Sequence, residues 1–162
     1  MKNIAGNKTD KHRVLDALDW SILRELQLNA RISWAELGRK LGRTRAGIQQ
    51  RVFRLEETGV IRGYWTQVDP QTLGLHVTAF IHLTTDASRL QQFADALKKR
   101  SEIIEWYVTQ SEPRSCILKV HTASVPSLQH FLDFLASHGT PSVTLILSSS
   151  VEFRAIEPVI NK

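Results

Sequence analysis

The stretch Ser33–Gly63, SWAELGRKLGRTRAGIQQRVFRLEETGVIRG, decides the fold. It divides into a short helix, a tight turn, a longer basic helix and a reversal into extended chain. Ser33 followed by Glu36 is a capping-box pattern, in which hydroxyl and carboxylate each satisfy an orphan amide at a helix start. Leu37 and Leu41 lie one turn apart on one face. Gly42 has the backbone freedom that ends a helix, and Thr44 is a suitable N-cap for the next. In that second helix Ile48, Val52 and Leu55 recur at i, i+4, i+7 and should face a core. At about 100° per residue, Ala46, Gly47, Gln50, Phe53 and Arg54 point away, flanked by Arg45, Gln49 and Arg51. Arg can bond guanine bidentately and Gln can do so with adenine. The arrangement predicts a helix-turn-helix whose second helix meets the DNA major groove.

Upstream, Leu15, Leu18, Ile22 and Leu26 form a helical stripe that Asp16 or Asp19 can cap. This helix should complete a three-helix core. Trp20 and Trp34 are expected to pack against it rather than stack on bases. Downstream, Val60 to Val68 around Gly63 is expected to form two short strands, a wing. Asp69-Pro70-Gln71 then signals a turn.

From Leu75 the pattern changes. Leu75, Val77, Ala79, Ile81 and Leu83 alternate with His76, Thr78, Phe80, His82 and Thr84, which predicts a strand with one buried face. Helical spacing follows at Leu90, Phe93, Ala94 and Leu97. Ile103–Thr109 and Cys116–His121 read as strands. Leu128, Phe131, Leu132 and Leu135 give a second helix, and Val143–Phe153 a last strand. The order βαββαβ predicts a ferredoxin-like sheet with helices on one face. The other face, with Phe80, Tyr107, Ile117 and Ile146, should need a cover, most simply a second copy. The expected fold is therefore α+β. A basic tail spans residues 1–13, a winged helix-turn-helix 14–65, a linker 66–74 and the βαββαβ module 75–162.

The chain of 162 residues carries a net charge of +5, unevenly spread. Through Trp65 there are 13 Lys and Arg against 7 acids, whereas the remainder has 8 against 9. A basic head on a near-neutral body suits a polyanion. Cys116 is the only cysteine, so neither an internal disulfide nor a thiolate zinc site is available. No signal-peptide core and no membrane-length apolar run occurs, which predicts a cytoplasmic protein. No nucleophile elbow, phosphate loop or HExxH is present, so neither catalysis nor a cofactor is expected. His76, His82 and His121 share strand parity; interface packing is the expectation for them rather than a metal site.

With these residues in view, LDALDWSIL (Leu15–Leu23), NARISWAELGRKLG (Asn29–Gly42), RVFRLEETGVIRGY (Arg51–Tyr64) and VDPQTLG (Val68–Gly74) resemble the leucine-responsive regulatory protein/AsnC, or feast/famine, transcription regulators. The C-terminal half resembles them mainly in element order and in ILKV (Ile117–Val120). The resemblance implies a winged helix-turn-helix joined to an effector-sensing module. It also implies dimers built through the sheets, octamers in some members, and amino acids as effectors. One departure stands at Val108–Val120, VTQSEPRSCILKV, which lacks the glycine and aspartate usual in the family's effector turn. A second is GTPSV (Gly139–Val143), which lengthens the approach to the last strand.

Lys40, Arg43 and Arg62 are thus expected to meet phosphates. Thr44, Arg45, Gln49, Gln50 and Arg54 are the candidates for base edges. Thr109, Gln110, Ser111, Arg114 and Ser115 are the candidate effector residues, for an amino acid or another small acid. An ordinary polar loop is the alternative there. The rival function, from fold analogy, is a sirohaem decarboxylase; the third possibility is an oligomerising module that no longer regulates DNA.

Overall fold

The computed structural model describes residues 15–110, 115–148 and 154–158. The basic stretch 1–13, Ser111 and Arg114 lie outside them. The chain divides into two compact units. One is helical, running to Thr66 and taking in residues 154–158; the other is Gln67–Glu152.

In the helical unit, α1 is Ala17–Leu28, α2 is Trp34–Leu41 and α3 is Arg45–Glu57. Asp16 caps α1 in a full capping box, with the Asp19 amide donating to Asp16 and the Asp16 amide to Asp19. Ser33 caps α2 by accepting from the Glu36 amide at 3.2 Å. The reciprocal Glu36 bond expected there is not made, so the complete box belongs to α1. Of the predicted stripes, Ile22, Leu26, Leu37, Ile48, Val52 and Leu55 form the core, joined by Ile32, while Leu15, Leu18 and Leu41 pack half-buried at its edge with Trp34.

The expected wing strands do not form. Residues 60–69 carry no strand. The two arms on either side of Gly63 do not pair with each other as a hairpin would require. This segment is instead tied back to α3. The Ile61 amide donates to the Leu55 carbonyl at 3.0 Å, and the Tyr64 hydroxyl to Glu56 at 2.8 Å. Residues 154–158 were expected with the sheet module, but they lie along α1. There the Gln27 side-chain amide both donates to the Ile156 carbonyl and accepts from its N–H.

The second unit holds β1 (Val77–Thr84), α4 (Ala87–Lys98), β2 (Ile103–Val108), β3 (Ser115–Thr122), α5 (Val125–Ala136) and β4 (Thr140–Leu145). The sheet is antiparallel with order β2-β3-β1-β4. Alternation puts Ala79, Ile81 and Leu83 of β1 and Cys116, Leu118 and Val120 of β3 on one face. Leu90, Phe93 and Leu97 of α4 and Leu128, Phe131 and Leu135 of α5 complete that core. The opposite face carries Phe80, Tyr107, Ile117, Lys119 and His121, exposed or half-buried. The last strand begins three residues earlier than expected and ends at Leu145. Gly139 explains the early start: a Cβ there would lie 2.4 Å from the Thr84 carbonyl, so only glycine lets the chain turn this close to β1. Pro141 is tolerated because β4 is an edge strand.

Candidate nucleic-acid interface

The turn between α2 and α3 depends on two glycines. Gly42 ends α2 at φ +62°, the left-handed conformation that glycine adopts most cheaply. Gly38, buried inside α2, receives the Arg43 amide on its carbonyl at 2.8 Å. A Cβ on Gly38 would stand 2.6 Å from the Arg43 carbonyl. Sequence reasoning passed over this residue. Its signal was a glycine inside a capped helix, which costs stability unless something needs the space. Thr44 then opens α3, its hydroxyl oxygen accepting from the Gly47 amide at 3.1 Å.

On α3 the core residues Ile48, Val52 and Leu55 are all buried. Arg45, Ala46, Gly47, Gln50 and Phe53 are exposed, and Gln49 is half-buried. Among the described residues Arg45 makes no ion pair, and it overhangs a shallow hollow of about 330 Å³ lined by Ile32, Ser33, Trp34 and Ala35. Among the described residues Arg43 makes only a 3.3 Å bond to the Gly42 carbonyl, and Arg62 is exposed. Lys40 is exposed as well but pairs with Glu25 at 2.9 Å.

Arg54 requires a correction. Its backbone position points outward, yet its guanidinium turns back to bond both oxygens of Asp19, at 2.6 and 2.8 Å. Arg51 joins the same carboxylate at 2.9 Å and also bonds Asp16. Asp19 is 3% exposed. A buried carboxylate without partners costs several kcal/mol (roughly), and these two guanidinia remove that cost. Asp16 stays ionised to unusually low pH, chiefly because it accepts the Arg51 hydrogen bond and next because of the Asp19 amide. The Arg54 guanidinium therefore fastens α3 to α1 and is not free for a base edge.

In the sheet unit the candidate effector residues split. Thr109 donates its amide and hydroxyl to the Ser115 carbonyl at 3.0 and 2.8 Å, closing the mouth of the β2–β3 turn. Gln110 is exposed. The histidines do not converge. His121 bonds the Thr78 hydroxyl at 2.9 Å, His82 stands opposite Ile117, and His76 precedes β1. Among the described residues no three His, Cys, Asp or Glu side chains are placed to hold a metal ion. No helix of the described residues is long and apolar enough to cross a membrane.

A capped helix-turn-helix followed in the chain by a four-stranded sheet with helices on one face is the architecture of DNA-binding regulators with an appended ligand-binding module, and the family matches bear on it directly. Residues 15–56 match the AsnC-type helix-turn-helix domain, and residues 78–154 match the Lrp/AsnC ligand-binding domain. The chain is similar to the HTH-type transcriptional regulator Ptr1 of Methanocaldococcus jannaschii, 36% identical over 74% of this chain and 80% of that protein. Its fold is similar to AsnC of E. coli, with a TM-score of 0.76 and 30% identity over 90% of this chain and 99% of that one. LrpC of B. subtilis superposes with a TM-score of 0.80 and 26% identity, over 86% and 99%. The chain belongs to the Lrp/AsnC family of helix-turn-helix transcriptional regulators. The sirohaem-decarboxylase alternative finds no support in these matches.

Proposed function

We propose that the protein binds double-stranded DNA sequence-specifically as a homodimer or octamer, with α3 in the major groove. What carries this reading is the outer side of α3. It presents the unpaired Arg45 and the amides of Gln49 and Gln50 beside two small residues, Ala46 and Gly47, that allow close approach. Arg43 and Arg62 supply phosphate contacts, and Lys40 does so by exchanging Glu25 for phosphate. The Thr44 hydroxyl keeps its proton free to donate, since only its oxygen is used by the cap. The half-apolar open face of the sheet suits a second copy, which would place two α3 helices about a two-fold axis.

Thr109, Gln110, Ser111, Arg114 and Ser115 remain our candidates for recognising a small acid effector. The protein would act in the cytoplasm and without catalysis. The test is quantitative footprinting on selected DNA. Arg45→Ala and Gln50→Ala should each cost roughly 1–3 kcal/mol of specific binding. Arg62→Ala should lower the salt slope by about one unit without altering sequence preference. Unchanged affinity in both the Arg45 and Gln50 variants removes α3 as the reading helix.

A further inference from the structure

The outer line of α3 runs Ala46, Gln50, Phe53, Glu57 at helical spacing, and Phe53 is the position on it whose chemistry is unlike the rest. Phe53 is 49% exposed, and on the outer line of α3 it is the only large apolar side chain. It lies about 4.5 Å further along the helix axis than Gln50. The cations that flank it, Arg51 and Arg54, are both committed to Asp16 and Asp19. Glu57, one turn beyond, is acidic and exposed, so a phosphate backbone is unwelcome there. Past Gln50, then, the reading line offers no free donor and no free cation. It offers an apolar surface.

Among base edges in the major groove, the C5 methyl of thymine is the one apolar group, and an aromatic ring is a fitting contact for it. We propose that Phe53 reads a thymine methyl at the edge of each half-site, about one base-pair step beyond the base pair met by Gln50. This rests on the DNA-binding reading above and deepens it. With an amide suited to adenine preceding an apolar ring suited to thymine, α3 favours an A·T-rich flank at that end of the site. The ring is not needed for the fold, since it contributes nothing to the buried core of the helical unit.

The experiment begins with full-length wild type and Phe53→Ala, each used to select binding sites from a random duplex library. Circular dichroism checks that helix content is unchanged. Wild type should enrich a thymine at a fixed position that Phe53→Ala no longer enriches. The recovered duplex is then remade with deoxyuridine at that position, which removes only the methyl. Wild type should bind the uridine duplex about fourfold more weakly, the worth of one buried methyl-sized group. Phe53→Ala should bind both duplexes alike. Equal wild-type affinity for the two duplexes, or a thymine preference kept by Phe53→Ala, overturns the inference and leaves the DNA-binding reading standing. A wild type that selects no sequence overturns both. If Phe53→Ala changes the oligomeric state and not the selected site, the ring is a protein contact and the inference is wrong.

Discussion

The helical unit and the sheet unit solve the problem of a small core in different ways. Three short helices bury few large side chains, and the helical unit adds a polar fastening: one buried carboxylate, Asp19, shared by Arg51 and Arg54. The sheet unit has a larger, continuous apolar core beneath two helices, and its polar pairs lie outside it. Lys119 meets Glu105 at 3.0 Å, and His121 meets Thr78, both on the open face. Asp19 is buried, so an arrangement that moves both guanidinia away leaves its charge unpaired. Apolar packing is less exacting about geometry. The unit that must hold a helix at a set angle uses the exacting device. The same comparison shows why the basic residues of α3 cannot be read as one set.

The comparison breaks most severely at Phe131. It is fully buried in α5, stacked near Phe134, with the Arg100 guanidinium over both rings at 5.4 and 4.8 Å. Phe131→Ala should cost about 3–5 kcal/mol. Hydrogen exchange should show β1 and β3 amides losing protection while α1–α3 amides keep theirs. Equal loss in both units would mean that the cores are not independent.

Asp19→Ala tests the other side. It removes a buried acceptor from two guanidinia that are about 30% exposed and can turn to water. We expect a loss of about 2 kcal/mol, below the full cost of breaking a wholly buried pair. The loss should appear in α1 and α3 amides and be absent from the sheet. Asp19→Asn should fall between wild type and alanine, since the amide oxygen can still accept one bond. A variant as stable as wild type would mean that apolar packing alone holds α1 to α3.

Much of this was legible in the chain. The Gly42 and Thr44 signals, the three apolar stripes and the alternation of β1 all act over a few residues, where local chemistry and geometry agree. The misses share another feature. Arg54 lies on the outward side by helical periodicity, but its long side chain reaches a partner 35 residues earlier, which no periodicity shows. The β-rich run after Gly59 predicted a wing, but Ile61 and Tyr64 are bonded back to Leu55 and Glu56 of α3 instead, contacts that local propensity does not show. The start of β4 was set by the contact of Gly139 with Thr84, a long-range constraint, rather than by propensity. Among the candidate DNA contacts, residues whose side chains stay local, such as Arg45 and Gln50, are exposed. The effector set could be followed only at Thr109, Gln110 and Ser115.

Gly38→Ala should have a smaller effect on stability and a more telling effect on function. Alanine favours helix, but its methyl would meet the Arg43 carbonyl, which is backbone and cannot swing aside. Overpacking costs about 1–3 kcal/mol, and the roughly 1 kcal/mol that alanine gains over glycine in a helix offsets part of it, leaving about 1 kcal/mol. Because the clash lies in the turn, α3 should shift relative to α2 and DNA affinity should fall further than stability does. Binding titrations well below the melting temperature separate the two. An unchanged binding constant would show that the turn relaxes without moving α3.

The mildest perturbation is pH, and it belongs to the sheet unit. His121 has its pKa lowered below the usual 6.5, first by partial burial and then by the nearby Lys119 charge, with Glu105 opposing. Across the interval between that lowered value and 6.5, the unfolded chain holds more protons than the folded one, so stability rises with pH. The contribution is fully present above the unfolded value and disappears as pH falls through the folded one. Urea midpoints between about pH 7.5 and 5 should therefore drop for wild type more than for His121→Gln, which can keep a bond to Thr78 without titrating. The helical unit should show the opposite indifference in this range: Asp16, held low by Arg51, loses its contribution only at far more acidic pH. Parallel curves for wild type and His121→Gln would remove the histidine as the origin of the difference between the units.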